Sequence, residues 1–135
     1  MKKTIIALVL VLTLVMLCGC HGYVKGYYAT LLVSSSKGDE ASMEFRSFNG
    51  TYDLKLNRGQ AAEHKLDVEA SLGEGEMNVY IGTADEKELL FTIKGGEVYD
   101  QEIKLDEKYA NEKTVYIILE SVGKCTNGEF EFEYN

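Results

Sequence analysis

From Ser42 to the C-terminus, apolar and polar side chains alternate almost one by one. Successive side chains of a β-strand point to opposite faces, so a period of two gives each strand a dry face and a wet face. A helix, at about 3.6 residues per turn, would mix the two sets. Met43 and Phe45 alternate with Glu44 and Arg46, and Tyr52, Leu54 and Leu56 with Asp53, Lys55 and Asn57. Leu66, Val68 and Ala70 alternate with Lys65, Asp67 and Glu69, and the pattern returns at Met77–Val79–Ile81, Leu89–Phe91–Ile93, Ile103–Leu105 and Val115–Ile117–Leu119. It closes on Phe130, Phe132 and Tyr134, interleaved with Glu129, Glu131 and Glu133. Between the runs sit Asn49-Gly50, Arg58-Gly59, Gly73-Glu74-Gly75, Gly95-Gly96 and Asn127-Gly128, which supply the positive φ of tight turns. The runs on either side of Asn49-Gly50 either form a hairpin or continue one another. This spacing predicts an all-β fold, an antiparallel β-sandwich of jelly-roll-like kind with about eight strands. Asp106 to Glu112 has room for one or two helical turns.

The first residues follow a different logic. Lys2 and Lys3 precede an apolar run from Thr4 to Leu17 that ends in Leu17-Cys18-Gly19-Cys20. A positive start, a short apolar stretch and a small-residue cleavage site make a secretory signal peptide, and the run is short of the roughly 20 apolar residues of a spanning helix. The ending resembles the bacterial lipobox, which implies lipid attachment at Cys20 as the mature N-terminus. Cys18 would put bulky Leu17 in the slot that takes a small residue. The domain reading is therefore residues 1–19 as a removed signal, 20–40 as a lipid-anchored tether with room for one strand near Tyr27 to Val33, and 41–135 as the sandwich. The expected location is the cell membrane, with the domain on its extracellular or periplasmic side.

Cleavage before Cys20 removes Lys2 and Lys3 but no acid, taking the formal net charge from −8 to −10. With Cys18 gone and Cys20 acylated, Cys125 is the one thiol left and no internal disulfide can form, so burial alone must hold the fold. A firmly acidic chain without a basic run excludes a nucleic-acid partner, which needs a cationic face to displace counterions. Charged partners should be cationic.

The string Ser42-Met43-Glu44-Phe45-Arg46-Ser47-Phe48-Asn49-Gly50-Thr51, the Gly-bounded alternating strands and the closing Gly128-Glu129-Phe130-Glu131-Phe132-Glu133-Tyr134 resemble small β-sandwich lipoproteins of Gram-positive bacteria. That resemblance covers about Ser42 to Asn135. It implies a surface-exposed, lipid-anchored sandwich similar to carbohydrate-binding and pre-peptidase C-terminal modules, without catalytic residues to carry over. Gly123-Lys124-Cys125-Thr126-Asn127-Gly128 is longer than the corresponding segment of such proteins and carries a thiol.

Few residues suit catalysis at neutral pH. His21 lies beside Cys20 in the tether. His64 shares the parity of Leu66 and Val68 and reads as a structural residue opening a buried face. Cys125 is either a small buried filler or a thiol activated by Lys124. None of the metal, nucleophile-elbow or phosphate-loop patterns occurs, and neither a metal nor another cofactor is implied. Acidic segments at Asp39-Glu40, Glu74-Gly75-Glu76 and Asp85-Glu86-Lys87-Glu88 are places to look for calcium, and their acids can equally point into water.

Apolar residues of the opposite parity offer a better lead. Tyr80, Leu90, Tyr116 and Ile118, with Phe48, stand opposite to the core sets of their strands. Tyr80, Tyr116 and Ile118 could form an exposed surface that stacks on sugar rings or anchors a protein. The competing reading covers both faces of a central strand, by a loop or by Tyr27 to Val33. The function that follows is a non-enzymatic binding or interaction module with a protein or glycan ligand, held to the membrane by its lipid; the alternatives are an inhibitor or accessory of an envelope enzyme, or a carbohydrate-binding module.

Overall fold

The computed structural model describes residues 26–57, 64–83, 86–110 and 112–135. The expected signal peptide, Cys20 and His21 lie outside this set.

The strands follow the alternation. They are β1 (Tyr27–Thr30), β2 (Val33–Lys37), β3 (Glu40–Asn57), β4 (Lys65–Glu74), β5 (Glu76–Gly82), β6 (Lys87–Lys94), β7 (Val98–Lys104), β8 (Thr114–Ser121) and β9 (Cys125–Tyr134). One helical turn, α1 (Glu107–Ala110), follows β7. All pairings are antiparallel.

Asn49-Gly50 does not turn the chain back. The two runs around it form the single 18-residue strand β3. Its first half pairs with β9, which pairs with β4, which pairs with β7; call this sheet A. Its second half pairs with β8, which pairs with β5, which pairs with β6; this is sheet B. Four strands thus face four, in the order of a jelly roll whose first two strands are fused into β3. β1 and β2, the segment expected to be tether with at most one strand, are two strands on the free edge of β3 in sheet A.

The fused strand changes its inward parity along its length. In the first half of β3 the odd residues Ala41, Met43 and Phe45 are buried, and in the second half the even residues Leu54 and Leu56 are. The parity reverses across Arg46-Ser47, which puts Phe48 in the core, stacked on Phe45 with centroids 5.3 Å apart, rather than on the outer face its sequence parity gave it. The neighbouring strands reverse at the same level. Leu31, at φ 50°, separates inward Ala29 from inward Leu32, and Asn127, at φ 51°, lies between buried Cys125 and Gly128. Because three strands slip together, their register survives unshifted on both sides of the line. Left-handed backbone costs an L-residue roughly 1–2 kcal/mol, so the line is affordable at two sites and no more. At Gly128 space decides instead of φ: a Cβ there would run into the Phe45 ring.

Sheet B has its own irregularity. A bulge between Val79 and Tyr80 leaves Leu90 without an opposite residue. The extra residue turns Leu89 outward, 52% exposed, and turns Leu90 toward the core, the reverse of what strict alternation predicts.

Both sides of the sandwich are closed. On one, Ser36 Oγ donates to the Lys55 carbonyl, Asn57 N donates to Gly38 O at 2.8 Å, and the Ser34 and Tyr52 hydroxyls meet at 2.6 Å. On the other, the β6–β7 hairpin crosses between the sheets, with Phe91 stacked on Tyr99 at 3.9 Å and Gly96 N donating to Leu72 O at 2.7 Å. Below the core, the Tyr134 hydroxyl donates to the Tyr109 carbonyl at 2.6 Å, fixing α1 so that Tyr109 caps that end.

Gly128→Ala should lower stability by about 1–3 kcal/mol, the usual effect of overpacking a filled core. Urea denaturation measures it, and adding Phe45→Leu should recover part of the loss by making room for the new methyl group.

Candidate functional site

The surface expected from sequence lies on the outer face of sheet B. Tyr80 pairs directly with Ile118, and Gly82 with Tyr116. Ile118 is fully buried although it stands outside the main core cluster, so it can touch no ligand and is corrected here from surface to interior. The reason is its place in β8, a strand flanked on both sides by β3 and β5, where neighbouring side chains close over it. Tyr80 and Tyr116 are half-buried. Lys87 Nζ sits 4.4 Å from the Tyr80 ring centroid and 3.2 Å from Glu120 Oε2, so the aromatic face carries its own cation. Bonds of Thr92 Oγ1 to Asn78 Oδ1 at 2.6 Å and of Thr114 Oγ1 to Asn57 Oδ1 at 2.8 Å tile the rest. The segment from Tyr27 to Val33, offered as a possible cover, lies on sheet A instead.

The outer face of sheet A is different. A groove of about 640 Å³ runs over β2, β3, β9, β4 and β7, and a second of about 480 Å³ adjoins it, sharing Ser42, Glu69, Asp100 and Glu131. Strand register arranges their floor in rows. Glu40, Glu133, Asp67 and Glu102 stand side by side across four strands. The next row is Ser42, Glu131, Glu69 and Asp100, and the third is Glu44, Glu129, Ser71 and Val98. Lys37 and Val33 continue the first and third rows onto β2. Nine carboxylates thus share one sheet face. Like charges directly opposite one another destabilise a sheet. Lys65 Nζ offsets one end of the first row at 2.7 Å from Glu102, and Asn135 Nδ2 donates to Asp67 Oδ2 at 2.8 Å. Near the middle of that row the Glu133 carboxyl is pushed above the ordinary value of 4.5, first by partial desolvation among its neighbours and then by the charges of Glu40, Asp67 and Asp39.

Strand-by-strand reading missed this face, yet a signal for it exists. The outward residues of β9 are mostly acids and those of β4 and β7 are half acids, while those of β5, β8 and the second half of β3 are mixed Asn, Tyr, Lys, Thr and acid. Sorting outward residues by sheet would have separated the two faces. The acidic turns matter less: Glu76 reaches Lys94 at 3.9 Å, and Glu86 reaches Lys108 at 3.3 Å. Among the described residues no three His, Cys, Asp or Glu side chains converge to hold a metal ion.

The remaining candidates are structural. Cys125 is buried, its thiol donates to the Glu76 carbonyl at 3.2 Å, and burial raises its pKa, so the filler reading holds over the activated one. His64 takes φ 59° where β4 begins; its carbonyl accepts from Leu105 N at 3.0 Å, and its Nδ1 is buried without a partner among the described residues.

No protein-family model matches the chain, and no curated protein does. Among solved structures it is similar to a carbohydrate-binding module of Clostridium stercorarium determined with cellobiose, at 15% identity over 86% of this chain and 89% of that one, with a TM-score of 0.42. It is also similar to a variant of a family 29 carbohydrate-binding module, at 18% identity over 85% and 83% of the two chains, again with a TM-score of 0.42. Likeness at this level assigns neither ligand nor chemistry.

A carboxyl whose folded pKa is raised contributes stability that is present below its ordinary value and lost as pH rises through the folded one. The melting midpoint should therefore rise as neutral buffer is acidified toward the ordinary Glu value of 4.5. Glu133→Gln should raise the midpoint at neutral pH and flatten that rise. A midpoint that falls on mild acidification, with no effect of Glu133→Gln, would show that the rows are not under electrostatic strain.

Proposed function

We propose that this chain is a lipid-anchored, non-enzymatic binding module of the cell surface, and that the grooved outer face of sheet A takes a glycan bearing amino groups. The observation that carries the reading is the three rows of carboxylates on the floor of that groove. Carboxylates accept paired hydrogen bonds from vicinal sugar hydroxyls, and an ammonium group placed between two of them relieves the repulsion the fold otherwise bears. The groove is shallow and crosses the whole width of the sheet, from Lys37 and Ser35 on β2 to Asp100 and Glu102 on β7, which suits an extended chain rather than a small enclosed ligand. A field of one sign also concentrates cationic partners at the surface. The lipobox ending at Cys20 supports the anchor, and carbohydrate-binding modules among the similar folds agree with a glycan without adding to the argument. Binding is favoured over hydrolysis because the acids stand in largely exposed rows across an open face, rather than as an acid and a base held in contrasting environments.

Calorimetry should show binding of glucosamine oligomers, weakened by salt, with little binding of their fully N-acetylated or of neutral cellulose-type counterparts. Glu131→Gln with Glu69→Gln should cost about tenfold in affinity, about 1.4 kcal/mol, whereas Tyr116→Ala should change nothing. Equal binding of neutral oligomers, or loss on Tyr116→Ala instead, would move the site to sheet B, and release of reducing ends would make the protein a hydrolase. Separately, metabolic labelling with a palmitate analogue should mark the protein and fail on Cys20→Ser.

A further inference from the structure

We infer that the end of the sandwich where the chain enters rests on the lipid surface through Tyr28, Leu31 and Val122, so that sheet A stands up from the membrane with its row of Glu40, Glu133, Asp67 and Glu102 at the far end. This rests on the Cys20 anchor proposed above and deepens it from attachment to orientation.

Hydrogen bonding places these parts together. Thr51 N donates to Gly26 O at 2.9 Å, Gly50 N donates to Ser121 Oγ at 2.7 Å, and Val122 N donates to Glu76 O at 2.8 Å. The entry of the chain, the corner of β3 and the β8–β9 turn therefore form one end of the molecule. Tyr28 is 87% exposed and Val122 52% exposed at this end, and Leu31, on the parity line just beyond, is 71% exposed. Leu31 also holds a left-handed backbone that Asn or Gly would adopt at less cost, and its exposed side chain contributes nothing to the core in return. An apolar side chain displayed on a strained tip has a use where it meets another apolar phase.

The tether identifies that phase. Six residue steps separate Cys20 from Gly26, about 20 Å at full stretch, so acylated Cys20 brings this end of the domain to the bilayer. Tyrosine settles at the headgroup level, and apolar contact adds to what acyl chains provide. Charge agrees in part. Arg46, Lys94 and Lys124 offset Glu74, Glu76 and Glu97 near this end, the Glu44–Glu129 row begins two residues from Arg46, and the densest row, Glu40, Glu133, Asp67 and Glu102, lies ten residues from Gly50 along β3, up to about 30 Å. An anionic headgroup layer repels the acidic end and tolerates the other.

The test uses the full chain, acylated in cells and reconstituted in phosphatidylcholine vesicles containing nitroxide-labelled lipid. An environment-sensitive fluorophore is placed by Leu31→Cys, by Val122→Cys, or by Lys104→Cys at the far end, with buried Cys125 left unlabelled. Quenching should be several-fold stronger at positions 31 and 122 than at 104. Adding Leu31→Asn and Tyr28→Ser to Val122→Cys should bring its quenching down to the level at 104, while Leu31→Asn leaves the melting midpoint equal or higher. Equal quenching at all three positions on protein that intact mass shows to be acylated overturns the orientation and leaves the anchor standing. Absence of acyl mass at Cys20 overturns both.

Discussion

The structure depends on one strand belonging to two sheets. With no disulfide available among the described residues, the sheets could slide or separate if burial alone joined them, because hydrophobic contact is not directional. β3 removes that freedom covalently. Its first half pairs with β9 and its second with β8, so the backbone itself fixes which faces meet. Within that strand the inward parity also changes, at Arg46-Ser47, and the change is repeated at Leu31 and near Asn127, so that sheet A accommodates it without losing register.

That line also organises the surface. On one side of it the outward positions of β3, β9, β4 and β7 fall into rows, and on the other the chain enters and the strands turn over into sheet B. The two outer faces diverge for related reasons. Sheet B's outer face is settled within itself, with Lys87 over Tyr80 and against Glu120, amide and hydroxyl side chains paired, and Ile118 sealed beneath them. Sheet A's outer face instead gathers nine carboxylates into three rows.

Much of the architecture was legible in the alternation because the period is a property of each strand alone. The strands around Leu66, Val115 and Phe130 needed no neighbour to be read. What the alternation could not give is whatever depends on strand order. Glu131 reads as a wet residue of its own strand. Only pairing with Ser42 on one side and Glu69 on the other makes it part of a row. Ile118 fails for the same reason, since its parity says outward but its position between β3 and β5 decides burial. Leu89 and Leu90 exchange roles because a bulge adds one residue, which a strict period of two does not foresee.

The rows carry a further physical implication. Carboxylates directly across a sheet cost stability, and nothing in the core requires them, since Phe130, Phe132, Val68 and Ala70 would pack equally well beneath neutral outward neighbours. A fold held by burial alone is only marginally stable, so placing like charges side by side is a real penalty. A ligand that neutralises the face and prefers the folded chain to the unfolded one would by linkage stabilise the fold as it binds. The acidity of sheet A and the closure of sheet B are then two sides of one arrangement, in which one outer face satisfies its own side chains and the other carries the repulsion on which the proposed binding rests.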